Sequence, residues 1–186
     1  GRELDPRYEA WGNGLCPSRA AINDWTRDCL VEAAQRYDLD GFCLDHARYP
    51  APAGLPSLFA CACVDCRRQA AELGYDVERL IEGLQVFRAD LQRLDRRRLV
   101  SLLGARPSLW EFIGLCDGGA EVLEWLRLRA TLLSVQMQRF RAAVEEVVGD
   151  KPFGSDVFPP SVALLGGHDY ADWAGGANYL TGGSSF

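Results

Sequence analysis

Apolar residues recur along the chain at helix spacing and then in short runs, which predicts successive helix-strand units. From Ser18 to Tyr37 they return every three or four positions, so we expect an amphipathic helix with Ser18 as its N-cap. Gly41 to Leu44 is an apolar run too short for a helix and predicts a buried strand. Ala120 to Val148 carries a longer stripe, which predicts a helix of about eight turns. A second strand is expected within residues 151–160.

A third, shorter unit completes the pattern. Tyr170 to Trp173 predicts a helical turn, and Ala177 to Thr181 predicts a strand. Helices and strands that alternate in series favour parallel strands with the helices outside them. The predicted fold class is therefore α/β, built on a parallel sheet.

Residues 51–119 interrupt this alternation. The segment opens with a loop rich in proline and glycine, passes a group of cysteines, and continues with helical spacing in Arg67 to Leu73 and Val77 to Leu103. We predict a helical, cysteine-containing insertion at 51–119, mounted on the loop after the first strand. Loops at that position carry specificity in many enzymes, so the insertion is expected to form a wall or lid of the site.

Composition limits the partners of the chain. Its 186 residues are 48% hydrophobic and 25% charged, which predicts one domain over residues 1–186 with a substantial core. A net charge of −6 argues against binding to nucleic acid. No apolar run is long enough to predict a membrane span. Gly1 to Asp5 lacks the pattern of a signal peptide, and both the compartment and the oligomeric state stay open.

Residues with catalytic chemistry follow the first two predicted strands. Asp45, His46, Arg48 and Tyr49 come directly after Leu44. Asp156 stands near the end of the second predicted strand. Because the carboxyl ends of parallel strands meet at one edge, where ligands collect, we expect Asp45 and Asp156 to share one face.

The segment 40–50, DGFCLDHARYP, resembles the DGIxLDxxRYP signature of a family of glycoside-hydrolase-like TIM-barrel proteins from bacteria. Residues 59–67, 125–130, and 155–161 with 167–170 resemble the same family in order and spacing. The resemblance implies a (β/α)8 barrel, carbohydrate as the substrate class, and acidic residues at strand ends as the active site. A full barrel takes roughly 250 residues. With three or at most four predicted strands, the expected fold is an incomplete parallel (β/α) barrel of TIM type.

Glycoside hydrolysis uses two carboxyl groups, one as proton donor and one as nucleophile or base. We predict Asp45 as nucleophile or base and Asp156 as its partner, with no cofactor for catalysis. Asp169, Glu121 and Glu124 are further candidates for the acid. The predicted substrate-binding residues are His46, Arg48, Tyr49, His168 and Asp169. The alternative is a domain that binds carbohydrate or a protein partner without turnover. Cys43 favours this alternative, because α-amylase-like barrels have arginine at that place.

Three of the seven cysteines, Cys61, Cys63 and Cys66, lie within six residues. This spacing suits a structural Zn²⁺, whose tetrahedral thiolate site needs a fourth ligand. Cys116, His46 and Cys16 are the candidates for it. A disulfide is the rival hypothesis if the protein is exported, and free thiols are the third. In each case we expect the cluster to fasten the insertion.

Overall fold

The computed structural model describes residues 16–50 and 58–182, and it combines a small parallel sheet with a larger set of helices. The strands are β1 (Phe42–Leu44), β2 (Phe153–Val157) and β3 (Tyr179–Gly182). The helices are α1 (Ala20–Arg36), α2 (Val64–Glu72), α3 (Val77–Gln92), α4 (Arg96–Gly104), α5 (Leu109–Gly114), α6 (Gly119–Val148) and α7 (Tyr170–Ala174), with a 3-10 helix at Ala163–Gly166. Among these residues, no helix combines the length and the apolarity needed to cross a membrane.

The sheet has the strand order β1-β2-β3, and both strand pairs are parallel. Phe42 pairs with Phe153 at the start of the sheet, and Leu44 pairs with Ser155 at its carboxyl edge. The third strand joins through Gly154 and Tyr179. The three predicted strands and their parallel arrangement are confirmed.

The predicted TIM-type barrel, complete or partial, is wrong. A TIM barrel closes eight parallel strands on themselves. Residues 16–50 and 58–182 form three strands in an open sheet, and most of the remaining chain is helical. The connection from β1 to β2 passes through α2 to α6, whose apolar residues have helical spacing and cannot supply further strands. The resemblance implied a strand number that the hydrophobic pattern itself never contained.

Helix α6 is the element around which the other helices and the sheet are packed. Its largest contact surfaces are with α1 and α3. Its N-terminal half buries one apolar core against α2, α3 and α5, and its C-terminal half buries a second core against α1 and the sheet. The buried residues of α6 in the first core are Val122, Trp125, Leu126, Leu128 and Leu132, and those in the second are Leu133, Met137, Phe140 and Val144.

The long helical stretch predicted over Val77 to Leu103 is two helices. Asp95 separates them, because its side chain accepts a hydrogen bond from Arg98 N and caps α4. Asp90, at the end of α3, receives two hydrogen bonds from the Arg98 guanidinium, at 2.6 and 3.0 Å, and a third from Asp117 N. This carboxylate therefore fixes the angle between α3, α4 and the turn before α6.

The buried face of α1 differs from the one that the sequence predicts. Trp25 and Tyr37, expected on the apolar face, are 65% and 63% exposed. Asn23 is buried instead, because its side chain donates to Pro17 O at 2.8 Å and accepts from Gln136 of α6 at 2.6 Å. A buried amide with both groups paired tolerates this position. The helix begins after Arg19, and Ser18 does not cap it.

Candidate functional site

Asp45, His46 and Asp156 meet at the carboxyl edge of the sheet, and we call these three residues the edge cluster. His46 N donates to Asp156 Oδ1 at 2.9 Å, and His46 Nδ1 lies 2.7 Å from Asp45 Oδ1. One ligand atom from each residue lies within 4.8 Å of the others. The register of β1 and β2 produces this meeting, because Leu44 pairs with Ser155 immediately before the two aspartates. The geometry also suits a metal ion.

The turn that carries His46 is shaped by these contacts. His46 has a φ of 57°, in the left-handed region that residues other than glycine seldom adopt. Its backbone is held on one side by Asp156 and on the other by the hydrogen bond from Arg48 N to His46 O, at 2.7 Å. The hydrogen bond from His46 lowers the pKa of Asp45, whose carboxyl group is exposed.

Arg48 and Tyr49, both predicted to bind substrate, lie at different depths. The Arg48 guanidinium sits 4.8 Å from the centre of the Phe158 ring, beside the edge cluster, and Asp45 takes His46 as its partner. Tyr49 is 2% exposed, and its N donates to Gly166 O at 2.9 Å. Arg48 thus remains available at the surface, whereas Tyr49 faces the interior.

His168 and Asp169 connect the loops behind the edge cluster. His168 is buried, accepts from Phe158 N through Nδ1 at 3.1 Å, and lies 3.1 Å from Ala47 O through Nε2. Since a carbonyl oxygen only accepts, the Nε2 nitrogen donates and the ring is neutral. Burial lowers the pKa of His168 to about 4. Asp169 caps α7 by accepting from Ala171 N and Asp172 N. Both residues support the site from behind.

Two further carboxylates considered for the acid lie elsewhere. Glu121 and Glu124 are on the first turns of α6 and both pair with Arg79 of α3. They hold the two helices together at the surface. The structure therefore brings Asp45, His46 and Asp156 to one place and leaves these two glutamates with the helical layer.

Four cysteines form a second cluster, the thiolate centre, which consists of Cys16, Cys61, Cys63 and Cys66. Cys16 Sγ lies 3.5 Å from Cys63 Sγ and 3.4 Å from Cys66 Sγ, and Cys63 and Cys66 are 3.8 Å apart. All four sulfur atoms lie within 4.8 Å of one another. They could therefore bind one metal ion.

The chain supplies these ligands from two directions. Cys16 precedes α1, Cys63 is the N-cap of α2, and Cys66 is in the first turn of α2. A helix N-terminus favours thiolate over thiol. Of the three candidates for the fourth ligand, the structure selects Cys16. Cys116 lies apart, where its thiol donates to Phe112 O at 3.4 Å.

The thiols of the thiolate centre differ in pKa. Hydrogen bonds from Cys16 and Cys66 lower the pKa of Cys61, and a backbone hydrogen bond from Cys63 acts in the same direction. The same contacts with Cys61 raise the pKa of Cys16, and those with Cys16 and Cys61 raise the pKa of Cys66. One thiolate is thus stabilised by its neighbours, and a bound cation would favour ionisation of the others. All seven cysteines are free in this structure.

Sequence reasoning missed Arg129, which is 1% exposed in the middle of α6. A signal was present, because Leu126 and Leu133 place apolar residues three and four positions away on the same helix face.

Comparisons with family models, with curated proteins and with solved structures found no match for the chain. The family resemblance and the activity that it implies stay predictions.

Proposed function

We propose that the edge cluster acts on carbohydrate as a glycoside hydrolase, with Asp45 as nucleophile or base and Asp156 as the second carboxyl group. The close approach of these two aspartates at the carboxyl edge of a parallel sheet carries the proposal. Retaining glycosidases place their carboxyl groups roughly 5 to 5.5 Å apart, and inverting ones roughly 6.5 to 9.5 Å. One carboxylate oxygen of Asp45 and one of Asp156 lie within 4.8 Å of each other, which is shorter than both ranges and nearer to the retaining one.

The electrostatics of the cluster support the division of roles. A nucleophile has to be ionised, and the hydrogen bond from His46 lowers the pKa of Asp45. Asp45 is also the more exposed of the two carboxylates, so a sugar ring can reach it. Arg48, at the same edge, offers donors for sugar hydroxyl groups.

The test is hydrolysis of a panel of aryl glycosides and polysaccharides. We expect Asp45→Asn to lower kcat/KM at least about 100-fold, because it removes the reacting carboxylate. Asp150→Asn is the matched control, since Asp150 is an exposed aspartate before β2, at the other end of that strand. Equal activity of wild type and Asp45→Asn would contradict the proposal.

A second candidate is saccharide binding without turnover. Both carboxylates already accept hydrogen bonds from His46, an arrangement that suits holding hydroxyl groups as well as transferring protons. Saturable binding of an oligosaccharide that survives Asp45→Asn, with no product released by wild type, would favour this candidate over the first.

We further propose that the thiolate centre binds a structural Zn²⁺. A tetrahedral site with Zn–S bonds of about 2.3 Å places its sulfur atoms about 3.8 Å apart. The measured separations of 3.4, 3.5 and 3.8 Å are already close to that value. Four thiolates leave no open position, which suits a structural ion. The ion would join the start of α1 to the start of α2, 47 residues further along the chain.

Zinc content measures this centre directly. We expect one Zn²⁺ per chain, lost in Cys66→Ser and retained in Cys29→Ser, which alters an exposed cysteine of α1. Removal of the ion by a chelator should lower Tm, because bound metal stabilises the folded state. The zinc content of Asp45→Asn is measured in parallel, to test whether the edge cluster holds the ion instead. Loss of zinc in that variant, with retention in Cys66→Ser, would place the ion at the sheet edge instead.

A further inference from the structure

Arg129 is a buried charge with an incomplete set of partners. Its side chain rises from the middle of α6 and is 1% exposed. Nη1 donates to Leu58 O at 3.2 Å, an acceptor that Trp125 Nε1 shares at 2.8 Å. Among the residues that the structure describes, Nε and Nη2 have no hydrogen-bond partner. A guanidinium carries five donors and stays charged in proteins, so this environment leaves most of its interactions unmade.

Such a group is costly unless an opposite charge is close to it. Removing an ionised side chain from water costs several kcal/mol, and a single carbonyl oxygen replaces only a small part of its hydration. The gap beside Arg129 is lined by Cys61, Cys66 and Leu128, and it has no room for a water molecule. Water therefore does not complete the hydrogen bonds of this guanidinium, and among residues 16–50 and 58–182 two cysteines of the thiolate centre line the same gap.

A metal-loaded thiolate centre would supply the negative charge that the Arg129 guanidinium needs as a partner. Four thiolates around one Zn²⁺ carry a net charge of −2. Cys61 and Cys66 line the same gap as Arg129, which places the guanidinium at the edge of the centre. Groups around a metal site that are not ligands commonly set its affinity. The orphaned donors of Arg129 are thus an observation independent of the sulfur geometry, and they point to an anionic centre.

The guanidinium also contacts the loop of the edge cluster. Its carbon lies 4.2 Å from the centre of the Tyr49 ring, a separation typical of a cation–π contact. Tyr49 is three residues after His46 on the same loop, and its backbone is fixed by Gly166 O. We propose that Arg129 is the buried counter-ion of the metal-loaded thiolate centre and, through Tyr49, a positioning residue for the loop of Asp45 and His46. This inference rests on the zinc centre proposed above.

The test is the metal affinity of variants at Arg129, measured with Zn²⁺ and Co²⁺ by competition against a chromophoric chelator. Arg129→Met removes the charge at similar volume and is expected to weaken binding about 10- to 100-fold. Arg129→Lys retains the charge and should stay within about threefold of wild type. Arg141→Met is the matched control, because Arg141 is on the same helix but pairs with Glu145 and Asp150. Its affinity should equal that of wild type.

The position of the loop has its own readout. The protein has two histidines, so the ring resonances of His46 can be assigned by comparison with His46→Asn. In zinc-loaded protein, Arg129→Met should shift the His46 resonances, whereas Arg141→Met should not. Unchanged His46 resonances in Arg129→Met would overturn the link through Tyr49.

The outcomes separate this inference from the proposal beneath it. If wild type takes up neither metal, the zinc centre fails and the role of Arg129 fails with it. If wild type binds metal and Arg129→Met binds it equally well, the inference alone is overturned. Arg129→Gln replaces the Met variant if that protein does not fold, since its amide can still donate to Leu58 O. If both uncharged variants fail to fold and Arg129→Lys folds with metal bound, the charge is required. Equal losses in the Lys and uncharged variants would show that shape, not charge, matters.

Discussion

His168 shows how one buried side chain can support a site without touching a substrate. Its two ring nitrogens link Phe158, after β2, to Ala47, after β1, so the loops on either side of the edge cluster keep a fixed spacing. The ring packs edge-on against Trp173 of α7, with 4.9 Å between centroids. This arrangement needs a neutral imidazole, because Nδ1 has to accept a hydrogen bond.

The neutral state of His168 predicts a loss of stability in acid. Burial lowers its pKa to about 4 in the folded protein, whereas an unfolded histidine titrates near 6.5. Below about pH 6.5 the unfolded chain binds the extra proton. The free energy of unfolding should therefore fall from pH 6.5 to pH 4, by up to about 1.4 kcal/mol per pH unit. Below about pH 4 both states are protonated and this contribution is fully lost.

Urea titrations of wild type, His168→Gln and Gln35→Ala at several pH values measure this effect. His168→Gln should be less stable at pH 7.5, by about 1 to 2 kcal/mol, because Phe158 N loses its acceptor. The gap between this variant and wild type should narrow and then reverse as the pH falls to 4, because wild type loses more than about 2 kcal/mol over that range. Gln35→Ala is the control, because Gln35 is an exposed residue of α1 that does not titrate, and this variant should retain the pH dependence of wild type. A gap of constant size would mean that another group titrates.

At the scale of elements, α3 and α6 approach each other through glycines. A Cβ atom on Gly83 would lie 2.1 Å from the Cβ atom of Glu121. Gly118, just before α6, has a φ of 76°, and a Cβ there would lie 2.3 Å from Gly83 O. The two backbones are therefore closer than any side chain allows, and this contact anchors the helical layer to the N-terminal half of α6.

Gly83→Ala is expected to force α3 away from α6. The added methyl group meets the Cβ atom of Glu121, which is attached directly to the backbone of α6 and cannot rotate aside. The free energy of unfolding should therefore fall by about 1 to 3 kcal/mol. Gly104→Ala is the control, because a Cβ at Gly104 has no neighbour within 4 Å. That variant should be neutral or more stable by up to about 1 kcal/mol. Urea midpoints decide the matter, and equal midpoints for the two variants would contradict the close approach.

At the scale of the whole molecule, the spacing of apolar residues predicted most of the helices and strands, but the predicted barrel was wrong. The strands around Phe42, Phe153 and Tyr179 follow from short apolar runs between turns, and the parallel sheet follows from their alternation with helices. The barrel came from the family resemblance, which supplied a strand number absent from the pattern. The split of α3 from α4 depends on one capping residue, Asp95, and its signal was visible only in retrospect.

Tertiary partners decided the remaining positions. Asn23 is buried because Gln136, 113 residues away, completes its hydrogen bonds. Cys29 of α1 and Cys43 of the edge strand β1 are exposed. Cys16 was one of three candidates for the fourth thiolate ligand, and only the packing of α1 beside α2 selects it. Asp45 and Asp156 were predicted to share one face because the carboxyl ends of parallel strands meet at one edge, and the pairing of β1 with β2 confirms that they meet there.

The thirty residues of α6 span about 45 Å and form a wall of both apolar cores. Neither core can open without exposing part of the same helix, and a helix does not melt over half its length without fraying into the other half. The unfolding of one core is therefore coupled to the unfolding of the other, because both cores depend on α6. Removing the helices of residues 58–118 would expose Trp125, Leu126 and Leu132 to water. The apolar face of α6 that they form would then promote association between copies of the shortened chain. The boundary between sheet and helical layer is consequently no place to cut the chain.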